Sequence, residues 1–257
     1  MKRTVIIESE EVELKNPILI EGLPGLGMVG KIAVKYLIKQ LNAKRFAVLY
    51  SPHFAYYVLV DNKGSINLLR NEFYYWRNEE GENDLILLTG DSQAQTIEGQ
   101  YEVADAILEF AGKKNVKAII TVGGYRRDVT GTPQVFASAT SPEILKKALE
   151  AGSISSPPGS PIVGAAGLLL GLAKFRNIEG ICLLSETPGY MPDPRAAKSV
   201  LSVIMKMLGL KLDLTDLDRE IYKIAQIEEE MRKIEEQRRA AEREMLRETR
   251  EKISYIG

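Results

Sequence analysis

A glycine-rich segment near the N-terminus has the spacing of a nucleotide-binding loop. Gly25-Leu26-Gly27-Met28-Val29-Gly30 matches G-x-G-x-x-G, follows the apolar run Pro17–Ile20 and opens a segment with helical periodicity. In dinucleotide-binding folds such glycines let a pyrophosphate approach a helix N-terminus. The acidic residue that should end the next strand and bind a ribose hydroxyl is missing, because that strand ends Leu49-Tyr50-Ser51-Pro52-His53. We therefore interpret the loop as a tight strand-to-helix turn, with a nucleotide or phosphate site as the alternative.

Few other side chains offer catalytic chemistry. His53 is the one histidine, which excludes a multi-histidine metal site, and its neighbours indicate a packing position at a strand end. Cys182 lies in the apolar run Ile181–Leu184, which favours a buried, inert thiol. Glu186 and Asp193 are too few acids to predict a metal site. We therefore predict no catalytic, cofactor-binding or metal-binding residues.

Polar residues also follow several predicted strands. Gly123-Gly124-Tyr125-Arg126-Arg127-Asp128 comes directly after the strand Val116–Val122. Ligands of open α/β sheets bind beyond the carboxyl ends of strands, so these arginines are candidates for an anion pocket. Asp91 and Glu186 also follow or end strands, and a cleft that joins them to Arg126 is one hypothesis. A turn with a solvated basic pair is the other.

Strands and helices alternate over the first 210 residues or so. The predicted strands are Val5–Ile7, Pro17–Ile20, Phe46–Tyr50, Tyr56–Val60, Ser65–Arg70, Asp84–Thr89, Val116–Val122 and Gly180–Leu184. The predicted helices are Met28–Asn42, Gly99–Gly112, Pro142–Ala151, Ile162–Phe175 and Arg195–Leu208, and Ser153–Pro161 is predicted to be a surface loop. This order predicts an α/β fold with a largely parallel or mixed central sheet flanked by helices.

The C-terminal segment has a different composition. It lacks glycine and proline from Lys211 to Ile256, and oppositely charged residues four apart, such as Glu229 and Lys233, favour a helix over about Asp213–Lys252. Apolar residues follow a spacing close to a heptad repeat: Leu217, Ile221, Ile224, Met231 and Ile234. We expect a globular domain over 1–212 and a long charged helix with a short tail over 213–257. The apolar row either packs on its own domain or meets other subunits in a coiled coil.

Bulk properties exclude several classes of protein. The formal net charge of -1 offers no basic excess, which argues against a nucleic-acid partner. The longest apolar stretch, Pro161–Ala173, is shorter than the roughly 20 residues that a spanning helix needs, so we expect no membrane partner. One cysteine in 257 residues fits a reducing compartment. We expect a soluble, cytoplasmic protein.

Three stretches together resemble a known family. Gly22–Gly30, Gly123–Tyr125 and Glu186–Ala197 (Glu-Thr-Pro-Gly-Tyr-Met-Pro-Asp-Pro-Arg-Ala-Ala) are similar to the archaeal homologues of proteasome assembly chaperones. The resemblance covers roughly residues 5–212. It implies a fold like that of nucleoside phosphorylases, a non-enzymatic binding function, homo-oligomers, and partners among proteasome α-subunits or other assembly proteins.

The resemblance also directs attention to the C-terminus. Some family members dock a hydrophobic–Tyr–any tail between α-subunits of the 20S ring, and this chain ends Ile253-Ser254-Tyr255-Ile256-Gly257, with the tyrosine one place early. The predicted protein-binding residues are Ile221, Ile224, Met231, Ile234, Tyr255 and Ile256. The alternatives are a scaffold with a non-proteasomal partner and an enzyme of the nucleoside phosphorylase or nucleosidase type.

Overall fold

The computed structural model describes the backbone of residues 1–254, and their side chains except those of residues 228, 231, 232, 235 and 239–254. The chain divides into two compact units, with the boundary between Asp213 and Leu214. None of the helices within the described residues combines the length and the apolar character needed to cross a bilayer.

The first unit contains eleven strands, five α-helices and one short 3-10 helix, Leu26–Met28, within its described residues. The strands are β1 (Val5–Glu8), β2 (Ile18–Glu21), β3 (Lys44–Tyr50), β4 (Val58–Val60), β5 (Ile66–Leu68), β6 (Asn71–Trp76), β7 (Leu85–Gly90), β8 (Ala118–Arg126), β9 (Val135–Ala139), β10 (Ile154–Ser155) and β11 (Glu179–Thr187). The helices are α1 (Val29–Gln40), α2 (Ile97–Lys113), α3 (Pro142–Glu150), α4 (Ala165–Lys174) and α5 (Pro194–Leu208).

A nine-stranded mixed sheet forms the centre of this unit. Its order is β1-β3-β6-β7-β2-β8-β11-β9-β10, and β4 and β5 form a separate two-stranded sheet. The four central strands, β7, β2, β8 and β11, are parallel. On one side β6, β3 and β1 continue the sheet in antiparallel pairs, and on the other side β9 pairs antiparallel with β11 and parallel with β10. The predicted α/β fold with a mixed sheet flanked by helices is confirmed.

The burial of the central strands explains their sequences. Every residue of β2 and β7 is buried, and the strands begin with the continuous apolar runs Ile18–Ile20 and Leu85–Leu88, without polar alternation. Helices α2 and α4 pack together over one face, where Phe110 meets the rings of Phe46 and Phe73 at 5.7 and 4.7 Å. Helices α1 and α5 also pack on each other and bury Val34, Leu37, Val200 and Ile204.

Several strands differ from the prediction. No strand was predicted at β6 or β9, and the predicted loop Ser153–Pro161 contains the short β10. The predicted turn Gly123-Gly124-Tyr125 is wrong, because β8 continues to Arg126 and pairs with β11 along nine consecutive residues. This long pairing carries both strands beyond the rest of the parallel region.

The second unit begins at Leu214 and consists, over its described residues, of one helix, α6 (Thr215–Ser254). Asp216 and Asp218 lie in its first turn, where the helix dipole favours negative charge. Lys233 pairs with Glu229 at 3.6 Å in the acid-first order that stabilises a helix.

Candidate protein-binding surfaces

The three family-like motifs meet at the carboxyl ends of β2, β8 and β11. Gly27 has a φ of 57°, and a Cβ there would lie 2.6 Å from Thr187 Oγ1. A Cβ at Gly124 would lie 2.6 Å from the carbonyl oxygen of Leu26. The loop that begins at Gly22 is therefore held between the ends of the two neighbouring strands.

Asp193 joins these motifs through hydrogen bonds. Its backbone N–H donates to the carbonyl of Gly27 at 2.8 Å, and its carboxylate accepts from the Thr187 hydroxyl at 2.8 Å. The same carboxylate accepts from the N–H of Ala196 at 3.0 Å and caps α5. Asp193 is 6% exposed, so these contacts lie within the fold. The conspicuous acid of the third motif thus has a structural role.

The glycines of the first loop permit close backbone packing. A Cβ at Gly22 would lie 2.1 Å from the carbonyl oxygen of Gly30, and a Cβ at Gly30 would lie 2.3 Å from that of Val122. Protein atoms therefore occupy the space in which a side chain would stand, and α1 lies directly against β2 and β8. This geometry favours the interpretation as a tight strand-to-helix turn.

The hypothesis of one cleft that joins Asp91, Arg126 and Glu186 is not supported by their contacts. Glu186 pairs with Arg127 at 3.0 Å and accepts from the N–H of Gln134 at 3.1 Å. Asp91 lies 3.9 Å from Lys31 and accepts from the N–H of Arg70 at 3.3 Å.

Arg126 contacts an aromatic side chain instead of an acid. Its guanidinium lies 5.0 Å from the centre of the Tyr190 ring, the distance of a cation–π contact. Tyr190 is 76% exposed, and Met191 and Leu26 nearby are also exposed. The motifs are thus tied together inside the fold and present apolar side chains at its surface.

His53 and Cys182 have the surroundings of structural residues. The His53 ring lies 3.3 Å from both Glu102 and Thr96, and the Cβ position of Gly99 is 2.3 Å from its Cβ atom. Cys182 is 1% exposed, and burial raises the pKa of its thiol to about 12, as expected of an inert cysteine. The described residues contain no group of three or more side chains able to hold a metal ion.

Glu21, at the end of β2, is a buried acid that the sequence analysis missed. It is 1% exposed, its Oε1 accepts from the N–H of Leu23 at 3.0 Å, and its Oε2 has no hydrogen-bond partner. Burial raises the pKa of this carboxyl to about 8, against the lowering effect of the hydrogen bond from Leu23. An acid directly after the apolar run Ile18–Ile20 and before Gly22 was the available signal.

Helix α6 has exposed apolar side chains in its first half. Ile221 and Ile224 are partly exposed and Ile234 is 63% exposed. Ile227, which was not predicted, is 51% exposed and fills the heptad position between Ile224 and residue 231. The predicted side chain of Met231 and the predicted tail residues Tyr255 and Ile256 lie outside the described residues.

A second exposed apolar surface lies on the hairpin of β4 and β5. Its strands pair with the register Val58↔Leu68, Leu59↔Asn67 and Val60↔Ile66. The apolar members of these pairs are between 41% and 72% exposed. Tyr56–Val60 was predicted as a strand, but its exposure was not predicted.

Comparison with known proteins places these features in a family. The PAC2 family profile matches residues 19–234. MJ1210, an uncharacterised protein of Methanocaldococcus jannaschii, is 34% identical over 260 residues, which cover 100% of this chain and 99% of that protein. The crystal structure of Pyrococcus furiosus PbaB, an archaeal proteasome activator, matches with a TM-score of 0.86 at 42% identity, over 90% of this chain and 100% of that one. The structure of P. furiosus PbaA, an archaeal homologue of proteasome-assembly chaperones, matches with a TM-score of 0.75 at 32% identity, over 96% of this chain and 98% of that one.

Proposed function

This chain belongs to the PAC2 family, as its three motifs predicted, and from that premise we propose that it is a non-enzymatic, homo-oligomeric scaffold that binds proteasome α-subunits. Its relatives PbaB and PbaA are a proteasome activator and a homologue of proteasome-assembly chaperones. Both are similar to this chain over nearly its whole length, and the proposal extends their kind of partner to it.

The observation that carries the proposal is the apolar row on α6. Ile227 and Ile234 lie seven residues apart, on the same side of the helix, and each exposes more than half of its surface. A helix with charged residues at its other positions gains little stability from apolar burial unless a partner covers this row. The row therefore has the spacing of a coiled-coil seam and is suited to binding a partner helix or an apolar groove.

The polar groups of the globular unit support a non-enzymatic role. Asp193 and Thr187 are engaged with the glycine loop and with α5, and Glu186 is engaged with Arg127. These contacts stabilise the fold and use the hydrogen-bonding capacity that a catalytic site would direct at a substrate. The unpaired, buried Cys182 fits the proposed cytoplasmic location, where thiols stay reduced.

The affinity for the 20S proteasome of the source organism tests the proposal. Burying the exposed parts of Ile227 and Ile234 stabilises a complex by about 2 kcal/mol. The full-length variant Ile227→Lys/Ile234→Lys should therefore bind roughly thirtyfold more weakly in surface plasmon resonance.

Two further variants make this test specific. Ala225→Lys/Gln226→Lys adds the same charge at exposed positions outside the row and should bind like the wild type. Deletion of Tyr255, Ile256 and Gly257 measures the contribution of the tail separately. Equal affinity of the wild type and Ile227→Lys/Ile234→Lys would contradict the proposed role of the apolar row on α6. Absence of binding by the wild type would contradict the proteasomal partner.

A further inference from the structure

The hairpin of β4 and β5 has a face made only of exposed aliphatic side chains. Successive residues of a strand point to opposite faces, and residues paired across strands share a face. The register therefore places Val58, Val60, Ile66 and Leu68 together, and they are 44%, 68%, 72% and 56% exposed. We call these four residues the hairpin face.

The hairpin is a formed element with an ordered turn. The Asp61 carboxylate accepts from the N–H groups of Lys63 and Ser65, both at 2.9 Å, and Gly64 takes the left-handed conformation with a φ of 78°. The hairpin lies in the connection between β3 and β6, outside the nine-stranded sheet. A two-stranded hairpin is marginally stable by itself in water, so an apolar face on it indicates a missing covering partner.

We propose that the hairpin face is the self-association surface of this protein and that its occupant is the same hairpin of a second copy. This inference rests on the proposed homo-oligomeric state and names the surface that produces it. Contact about a two-fold axis places one patch against its own copy, so the patch must be self-complementary. The hairpin face carries no charge and meets an identical face without repulsion.

The area of the surface is adequate for a stable contact. Aliphatic side chains carry on the order of 100 Å² of apolar surface each, and tyrosine buries about 200 Å². With Tyr56 and Tyr57 beside it, which are 105% and 56% exposed, the hairpin face offers on the order of 500 Å² of exposed apolar surface. A stable interface buries about 800 Å² per partner, so the patch supplies the apolar core of such an interface.

The backbone adds a second way to associate. In the two-stranded sheet each strand has one edge without a ladder partner among the described residues. Such edges pair readily with another strand. Edge pairing and face-to-face packing exclude each other for one pair of hairpins, because packed sheets lie about 10 Å apart and paired strands about 4.8 Å apart. The apolar hairpin face, not the edge, is the proposed contact.

Sedimentation equilibrium of the full chain over a range of concentrations tests the inference. The wild type should form an oligomer, and Ile66→Lys should raise its dissociation constant at least tenfold. Asn62→Lys adds the same charge in the turn of the same hairpin, off the hairpin face, and should behave like the wild type. Val60→Thr/Ile66→Thr keeps β-branched residues in both strands and should weaken association without disrupting the hairpin.

Three other results of the sedimentation experiment would overturn the inference. If Ile66→Lys and Val60→Thr/Ile66→Thr keep the wild-type mass at every concentration, the hairpin is not the interface. If Ile227→Lys/Ile234→Lys is monomeric while the hairpin variants stay oligomeric, α6 joins the copies and the inference is wrong. If the wild type is monomeric throughout, the proposed homo-oligomer fails as well, whereas binding to the 20S particle remains a separate result.

Discussion

The buried carboxyl of Glu21 should make the stability of this protein fall as pH rises above 5. The side chain is 1% exposed, and burial raises its pKa from 4.5 to about 8. The folded protein therefore keeps this proton between pH 4.5 and about 8, whereas the unfolded chain releases it. Because the folded state binds more protons in this range, the contribution of Glu21 to stability is fully present below pH 4.5 and is lost as pH rises to about 8.

The size of the effect follows from the shift in pKa. At 1.36 kcal/mol per unit, a rise from 4.5 to about 8 corresponds to about 5 kcal/mol in total. Most of this, about 3–4 kcal/mol, is lost between pH 5 and pH 8. Glu102, whose pKa is held below its usual value by hydrogen bonds from Thr4, acts on stability at lower pH and leaves this interval unaffected.

Glu21→Gln removes the titration and preserves the shape of the side chain. The amide can still accept a hydrogen bond from the N–H of Leu23, so at pH 5 its free energy of unfolding should lie within about 1 kcal/mol of the wild type. At pH 8 the variant should be the more stable protein by about 4 kcal/mol. Guanidinium denaturation at pH 5, 6, 7 and 8 measures both profiles. Parallel profiles would refute the view that Glu21 is neutral in the folded state.

Two further predictions concern the contacts that hold the motifs together. Gly27→Ala places a Cβ 2.6 Å from Thr187 Oγ1 at a left-handed φ and should lower the free energy of unfolding by about 2–3 kcal/mol. Gly112→Ala, where a Cβ meets nothing within 4 Å, should raise it by about 0.5–1 kcal/mol, and equal effects in denaturant titrations would disprove the packing role of Gly27. Asp193→Ala removes the α5 cap and the acceptor for Thr187, and should lower the free energy of unfolding by about 2–4 kcal/mol in thermal unfolding. Asp193→Asn should keep most of the wild-type stability, because its amide oxygen can still accept a hydrogen bond at the cap. A destabilisation by Asn as large as that by Ala would show that the cap contributes little.

The sequence was sufficient to locate the central strands and the helices that cover them. β7 and β11 were found because continuous apolar runs mark strands buried on both faces. β6 was missed because the polar residues Asn71 and Glu72 begin it and interrupt the apolar pattern of a strand. The turn predicted at Gly123 was wrong because glycines suggest a turn locally, whereas pairing with β11 keeps them in a strand.

The surfaces were harder to predict than the fold. Heptad spacing predicted an apolar row on α6 without Ile227, which is 51% exposed in the structure. The segment Tyr56–Val60 looks like any apolar strand, and only the three-dimensional structure shows that it is exposed outside the main sheet. The roles predicted for Ile221, Ile224, Met231, Ile234, Tyr255 and Ile256 stay predictions, as does the division into domains at residue 212.

The most direct test of the central claim is sedimentation velocity of the full chain mixed with the 20S proteasome of its source organism. The account predicts that part of the chain sediments with the 20S particle, and that Ile227→Lys/Ile234→Lys reduces this fraction while Ala225→Lys/Gln226→Lys does not. A wild-type chain that sediments apart from the particle at every concentration, up to its solubility limit, would contradict the claim.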